Sequence, residues 1–177
     1  MAAPQSPCTI PYTSRLEGVS TRCFLWAVLR HHVKAGFAAG SIAAATTAGA
    51  LVAFGIRLRT PARPFNVIAG HLVGSRAVDA WGWVSGVTIW GIVTHVATAL
   101  LWGVLCALLV GSARLRPWFA ALLVTGLSFL GSLLTAWSTG RGLAAELALG
   151  DLLVLHLLLA IALVVGMRIA PLALGRR

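Results

Sequence analysis

The chain has 177 residues, 59% hydrophobic and 10% charged, with a mean hydropathy of +0.91. A soluble domain carries about 25% charged residues, and disorder needs low hydrophobicity. Four acids (Glu17, Asp79, Glu146 and Asp151) against fourteen Lys and Arg fit neither, so a polytopic membrane protein remains. The net charge of +10 lies between apolar runs, as membrane-flanking charge does, so nucleic acid is not the expected partner.

Residues 1–33 read as a cytoplasmic or interfacial lead-in. The apolar stretch 23–29 is too short for a secretory signal and runs into Arg30, His31 and His32. Ser14 and Glu17 have capping-box spacing, so a helix is expected to begin there and lead into the first span. Cys8, Cys23 and Cys106 form no CxxC pair and are odd in number, which argues against a zinc site or a disulfide framework.

The membrane domain is expected over residues 34–172, followed by a tail at 173–177. The first span occupies about 35–56 and carries Gly36, Gly40, Ala44 and Ala48 at four-residue spacing, flanked by Ser41, Ala45, Gly49 and Ala53. Lipid gives helices no hydrophobic drive to associate, so such small-residue rows mark close packing, within the chain or against a partner. After Pro61 and Pro64, residues 65–77 place Phe65, Ile68, Ala69, Leu72 and Val73 on one helical face, with Arg76 snorkelling. This predicts a short interfacial helix in the first external loop.

The second span, about 84–110, repeats the small-residue row as Gly91, His95, Ala99, Gly103, Ala107 and Gly111. The third, about 117–138, opens on Pro117, suited to a first helical position. A short polar connector over 141–150 leads to the fourth, about 149–170, with Asp151 at its start. Trp81, Trp83, Trp118 and Trp137 fall near span ends, as an aromatic belt does. The expected fold is thus an all-α, four-transmembrane-helix bundle. With four spans both termini share a side. That side carries nine Lys and Arg against five on the other, which makes it the cytoplasmic one. Abundant Ala, Gly, Leu and Arg with a single lysine, Lys34, suits a GC-rich bacterial genome, and the expected location is the bacterial inner membrane.

Two intramembrane histidines are the candidate chemistry. His95 sits in the small-residue row, and His156 lies on a span running in the same direction. An ionisable ring at such depth should face protein. One reading has both as axial ligands of one haem b, with glycine and alanine leaving room for the macrocycle. The other has each ring hydrogen-bonding a neighbouring helix, with Thr46, Thr47, Thr94, Thr98, Thr125, Ser128, Ser132 and Thr135 as partners. The order of elements hints at a duplicated two-helix unit in which His95 and His156 are equivalent. Asp79 and Asp151 share a side, but they read as helix caps paired with Arg76 or Arg141 rather than as a proteolytic pair. A proton-coupled exporter would need a carboxylate in the first span, and residues 35–56 have none.

The stretch from Pro64 through Asn66 and His71 to Gly74, followed by His95 and Trp102, resembles small uncharacterised bacterial four-span integral membrane proteins. The resemblance implies the fold and no activity. The expectation from the residues is therefore a non-enzymatic accessory or scaffolding subunit, in the bilayer as a homo-oligomer or within a larger membrane complex. A haem b redox protein and an oligomeric small-solute transporter or channel are the alternatives.

Overall fold

Helix α1 (Thr21–Arg57) runs unbroken for 37 residues, because an alanine-rich segment without proline keeps every turn of its ladder. The computed structural model describes the backbone of residues 21–173 and the side chains of residues 29–169. The expected capping box at 14–17 and the last four residues of the tail lie outside the described residues. Residues 21–33 of the lead-in expected over residues 1–33 are continuous with the first span. After α1 come α2 (Arg63–Val73), α3 (Ser75–Val78), α4 (Ser85–Ser112), α5 (Pro117–Thr139), α6 (Leu143–Glu146) and α7 (Leu149–Ala173). Four segments are long and apolar enough to cross a bilayer: Leu29–Arg57, Ser85–Ser112, Pro117–Thr139 and Leu149–Ile169. The protein is an all-α membrane bundle, with no strand among the described residues.

Helix α1 packs along both α4 and α7, while α4 and α7 barely meet each other. Glycine sets these distances. A Cβ at Gly36 would lie 2.5 Å from Val104 Cα, one at Gly40 2.7 Å from Leu100 Cα, and one at Gly103 2.6 Å from Gly40 Cα. Ala44 and Ala99 are buried beside this crossing. On the other side of α1, a Cβ at Gly166 would lie 2.5 Å from Ala39 Cα. Backbones this close gain dispersion contact that larger residues would prevent. Gly91 belongs to the same sequence row but serves a different neighbour: its missing Cβ makes room for the Phe65 carbonyl of α2.

Two apolar clusters fill the bundle. At the end holding the termini, Ala39 and Ala43 meet Cys106, Ala107, Ala120, Ala121, Val124 and the α7 residues Leu159, Ala162, Leu163 and Met167. At the opposite, loop end, Leu51 and Phe54 meet Phe65, Ile68, Leu147 and Leu155. The buried residues of α5 are Ala120, Ala121, Val124 and Thr125, all in its first half. Its second half therefore diverges from α4 toward the loop end. It keeps to α7 through an edge-to-face contact between Phe129 and His156, with ring centroids 5.2 Å apart.

The first loop departs from a single helix lying in the interface. Gly74, at φ 87°, a conformation open to glycine, breaks the segment into α2 and α3. All residues from Arg63 to Ala69 are buried, so α2 inserts its first two turns against α4 instead of exposing one side. Phe65 and Ile68 join the loop-end core, whereas Leu72 and Arg76 are exposed.

Arg63 anchors this insertion. Its guanidinium pairs with both carboxylate oxygens of Glu146 in α6, at 2.5 and 3.4 Å, and donates to the carbonyls of Val78 and Ala80. It also lies over the Trp81 ring, 4.4 Å from the centroid. One turn on, Asn66 Nδ2 donates to the carbonyls of Ala80 and Gly82 and its Oδ1 accepts from Thr88. Non-helical backbone near membrane depth is tolerated where its polar groups find such partners. Asp151 pairs with Arg57 at 2.8 Å, not with the expected Arg76 or Arg141, because the end of α1 stands beside the start of α7. Arg57 is exposed, and an exposed pair contributes at most about 1 kcal/mol.

Candidate functional site

The divergence of α5 from α4 opens a half-open cavity of about 190 Å³ in the loop-end half of the bundle. His95 and His156 both line it, and so does His71, from the last turn of α2. Hydroxyls come from Thr47 on α1, Thr94 and Thr98 on α4, and Ser128 and Ser132 on α5. Ile68, Leu143, Leu155, Leu159, Ala99 and Trp102 supply the apolar lining. Thr98 is exposed at the rim, where α4 and α5 part. Apart from His71, Ile68 and Leu143, the lining residues lie within the candidate spans, so the cavity sits at membrane depth. It ends at the apolar cluster that fills the terminal half.

The position of each polar group follows from local helix chemistry. A hydroxyl in an apolar helix satisfies itself by donating to the carbonyl one turn back. Thr47 does so to Ala43 at 2.7 Å, Thr94 to Trp90 at 2.7 Å and Ser132 to Ser128 at 3.0 Å. His156 does the same, with Nδ1 2.8 Å from the Leu152 carbonyl. His95 instead reaches across to α1: its Nε2 lies 3.3 Å from the Ala44 carbonyl and 3.1 Å from Thr47 Oγ1. Gly40 and Gly103 make that reach feasible by bringing the two helices together. The His95 ring also stands edge-on to Phe65, at 6.0 Å. Of the expected hydroxyl partners, Thr47 is the one that His95 uses, and His156 uses backbone.

These residues do not fit a bis-histidine haem. The cavity of about 190 Å³ has room for about one benzene-sized ring and not for a macrocycle, and His95 turns Nε2 to α1, leaving only Nδ1 with a lone pair. Among the described residues no three His, Cys, Asp or Glu side chains are grouped to hold a metal ion. The protein purified from haem-replete cells is expected to show no Soret band; a band abolished by His156→Ala would reverse this assignment.

Sequence reasoning placed His95 and His156 but not His71, whose α2 helix read as lying flat in the interface. It also missed Arg63, Asn66 and Glu146, which hold α2 in place. The available hint was Asn66, a polar residue two positions after Pro64 and between Phe65 and the apolar Val67 and Ile68. Comparisons of the chain with protein-family models, with curated proteins and with solved structures find no match.

Proposed function

We propose that this chain is a non-enzymatic protein of the bacterial cytoplasmic membrane, with both termini cytoplasmic. In this reading it is an accessory subunit of a membrane complex and holds a small membrane-soluble molecule in the cleft between α4 and α5. The observation that carries the reading is that two intramembrane histidines from separate spans, His95 and His156, line one half-open cavity, with the exposed His71 of α2 at its loop end. Ionisable side chains in a membrane interior are costly, and they gather where something polar is bound or passed. The lining has no carboxylate and no thiol, and in its hydroxyl–imidazole pair, Thr47 with His95, the hydroxyl proton goes to the Ala43 carbonyl, so no activated nucleophile stands there. Solute transport is disfavoured because any path would have to cross the packed terminal cluster.

The accessory role rests on a second feature. Gly36 and Gly40 are used up inside the chain, but Ser41, Ala45, Gly49 and Ala53, at the same spacing, are exposed on α1. A lipid-facing row of small residues suits close approach by another helix, from a second copy or another subunit.

Native mass spectrometry of the protein extracted in mild detergent tests both features. The wild type is expected to carry a small-molecule adduct that Ser128→Trp, which fills the cleft, loses. It is also expected to run as an oligomer or complex that Gly49→Leu dissociates. A bare wild-type monomer would overturn the reading.

A further inference from the structure

We infer that the cleft selects a neutral ligand whose head donates hydrogen bonds: a hydroxyl carried on an apolar tail. This rests on the cleft being a binding site, and it follows from counting the protons on its wall. A carbonyl oxygen only accepts, so the His156 nitrogen facing Leu152 O, Nδ1, bears the hydrogen. In the neutral imidazole Nε2 is then a bare acceptor. The same logic holds for His95. Its Nε2 faces the Ala44 carbonyl and a Thr47 oxygen whose own proton is given to Ala43, so Nε2 bears the hydrogen and Nδ1 is the acceptor. Thr94 and Ser132 have likewise given their protons to backbone carbonyls, at 2.7 and 3.0 Å.

Five side chains of the wall have therefore spent their donors inside the protein and keep lone pairs. Thr98, Ser128 and the His71 ring at the loop end can serve either way, and the Trp102 N–H only donates. An acceptor-rich wall is complementary to a donor. A cation would find no carboxylate among the lining residues to balance it, and the histidines are not grouped for a metal ion. A hydroxyl fits: it donates to an imidazole or a threonine oxygen and keeps lone pairs for the tryptophan N–H. A cavity of about 190 Å³ has the room for one ring, since about 150 Å³ holds benzene. The opening between α4 and α5 lets a tail leave into lipid.

A quinol and its quinone share shape and tail and differ in the head's donors. Decylubiquinol, decylubiquinone and farnesol are the probes, titrated into nanodiscs holding the full chain, with tryptophan fluorescence as the signal. Affinities are referred to lipid mole fraction, and the quinol is kept reduced under argon. Decylubiquinol is expected to bind at least tenfold tighter than decylubiquinone. His156→Leu, whose wild-type ring hydrogen-bonds its own helix and whose apolar replacement can still pack on Phe129, is expected to cut that preference to less than threefold. His95→Gln is expected to lower it as well, with folding followed by circular dichroism.

Farnesol binding as tightly as the quinol assigns the site to hydroxyl lipids in general, while quinol binding alone assigns it to phenolic heads. Equal or tighter binding of the quinone overturns the donor inference and leaves the cleft as a binding site. No binding of any probe, together with a bare wild type in mass spectrometry, overturns the cleft reading itself.

Discussion

Gly103→Leu is expected to separate α1 from α4 and to leave the protein unfolded or aggregated in mild detergent. Its Cβ would sit 2.5 Å from Gly40 N and 2.6 Å from Gly40 Cα, and against the Gly36 carbonyl. These are backbone atoms, which cannot swing aside as the tip of a side chain can. Overpacking a core ordinarily costs about 1–3 kcal/mol; where backbone meets backbone, the loss is expected at or beyond the top of that range. The site would suffer too, because His95 reaches Ala44 and Thr47 across this crossing. Gly126→Leu and Gly131→Leu are the controls, since a Cβ at either meets nothing within 4 Å. Fluorescence-detected size exclusion with a heating step separates the cases. A Gly103→Leu protein as stable as its Gly126→Leu counterpart would show that the α1–α4 crossing is looser than described.

The second large effect is expected at Glu146. The Arg63 side chain is only 5% exposed, and Glu146, at 26%, is the carboxylate that balances it. Removing one partner of a buried pair costs about 3–5 kcal/mol, because the other charge is stranded. Glu146→Leu is expected near the lower figure, since the Val78 and Ala80 carbonyls and the Trp81 ring still receive part of the guanidinium. The double variant Arg63→Met with Glu146→Leu should recover much of the loss, because a well-packed apolar pair can replace a buried ionic one. Thermal midpoints report the stability. Proteolysis of residues 74–84 reports whether α2 and the loop it carries have come free. An unchanged midpoint in Glu146→Leu would mean that the carbonyls and tryptophan alone satisfy Arg63.

The two effects arise at different levels of organisation. Gly103 was legible in the sequence as part of a small-residue row, while the Arg63–Glu146 pair was not, since it joins residues far apart in the chain. The row also hid a division of labour. Gly91 receives α2 and Gly103 receives α1, because a four-residue row on a helix of 3.6 residues per turn rotates by about 120° between the two. His95 and His156 were legible as rings too costly for lipid. Their meeting with His71 on one cavity was not, because it requires α5 to lean away from α4 and α2 to insert against α4.

By itself, the sequence determined that the chain lives in a bilayer, that it has four long apolar helices, and which faces are small enough to pack. Each of these depends on transfer from water to lipid or on side-chain volume, both properties of a short stretch of chain. The tertiary structure decided the partners of Arg63, Arg57 and His95, the burial of α2 and the existence of the cleft. These depend on how far each helix turns about its own axis and how it crosses its neighbours. In lipid, with no water to drive apolar faces together, the crossings are set by close backbone contact at Gly36, Gly40, Gly103 and Gly166, and that contact exists only once the helices have met.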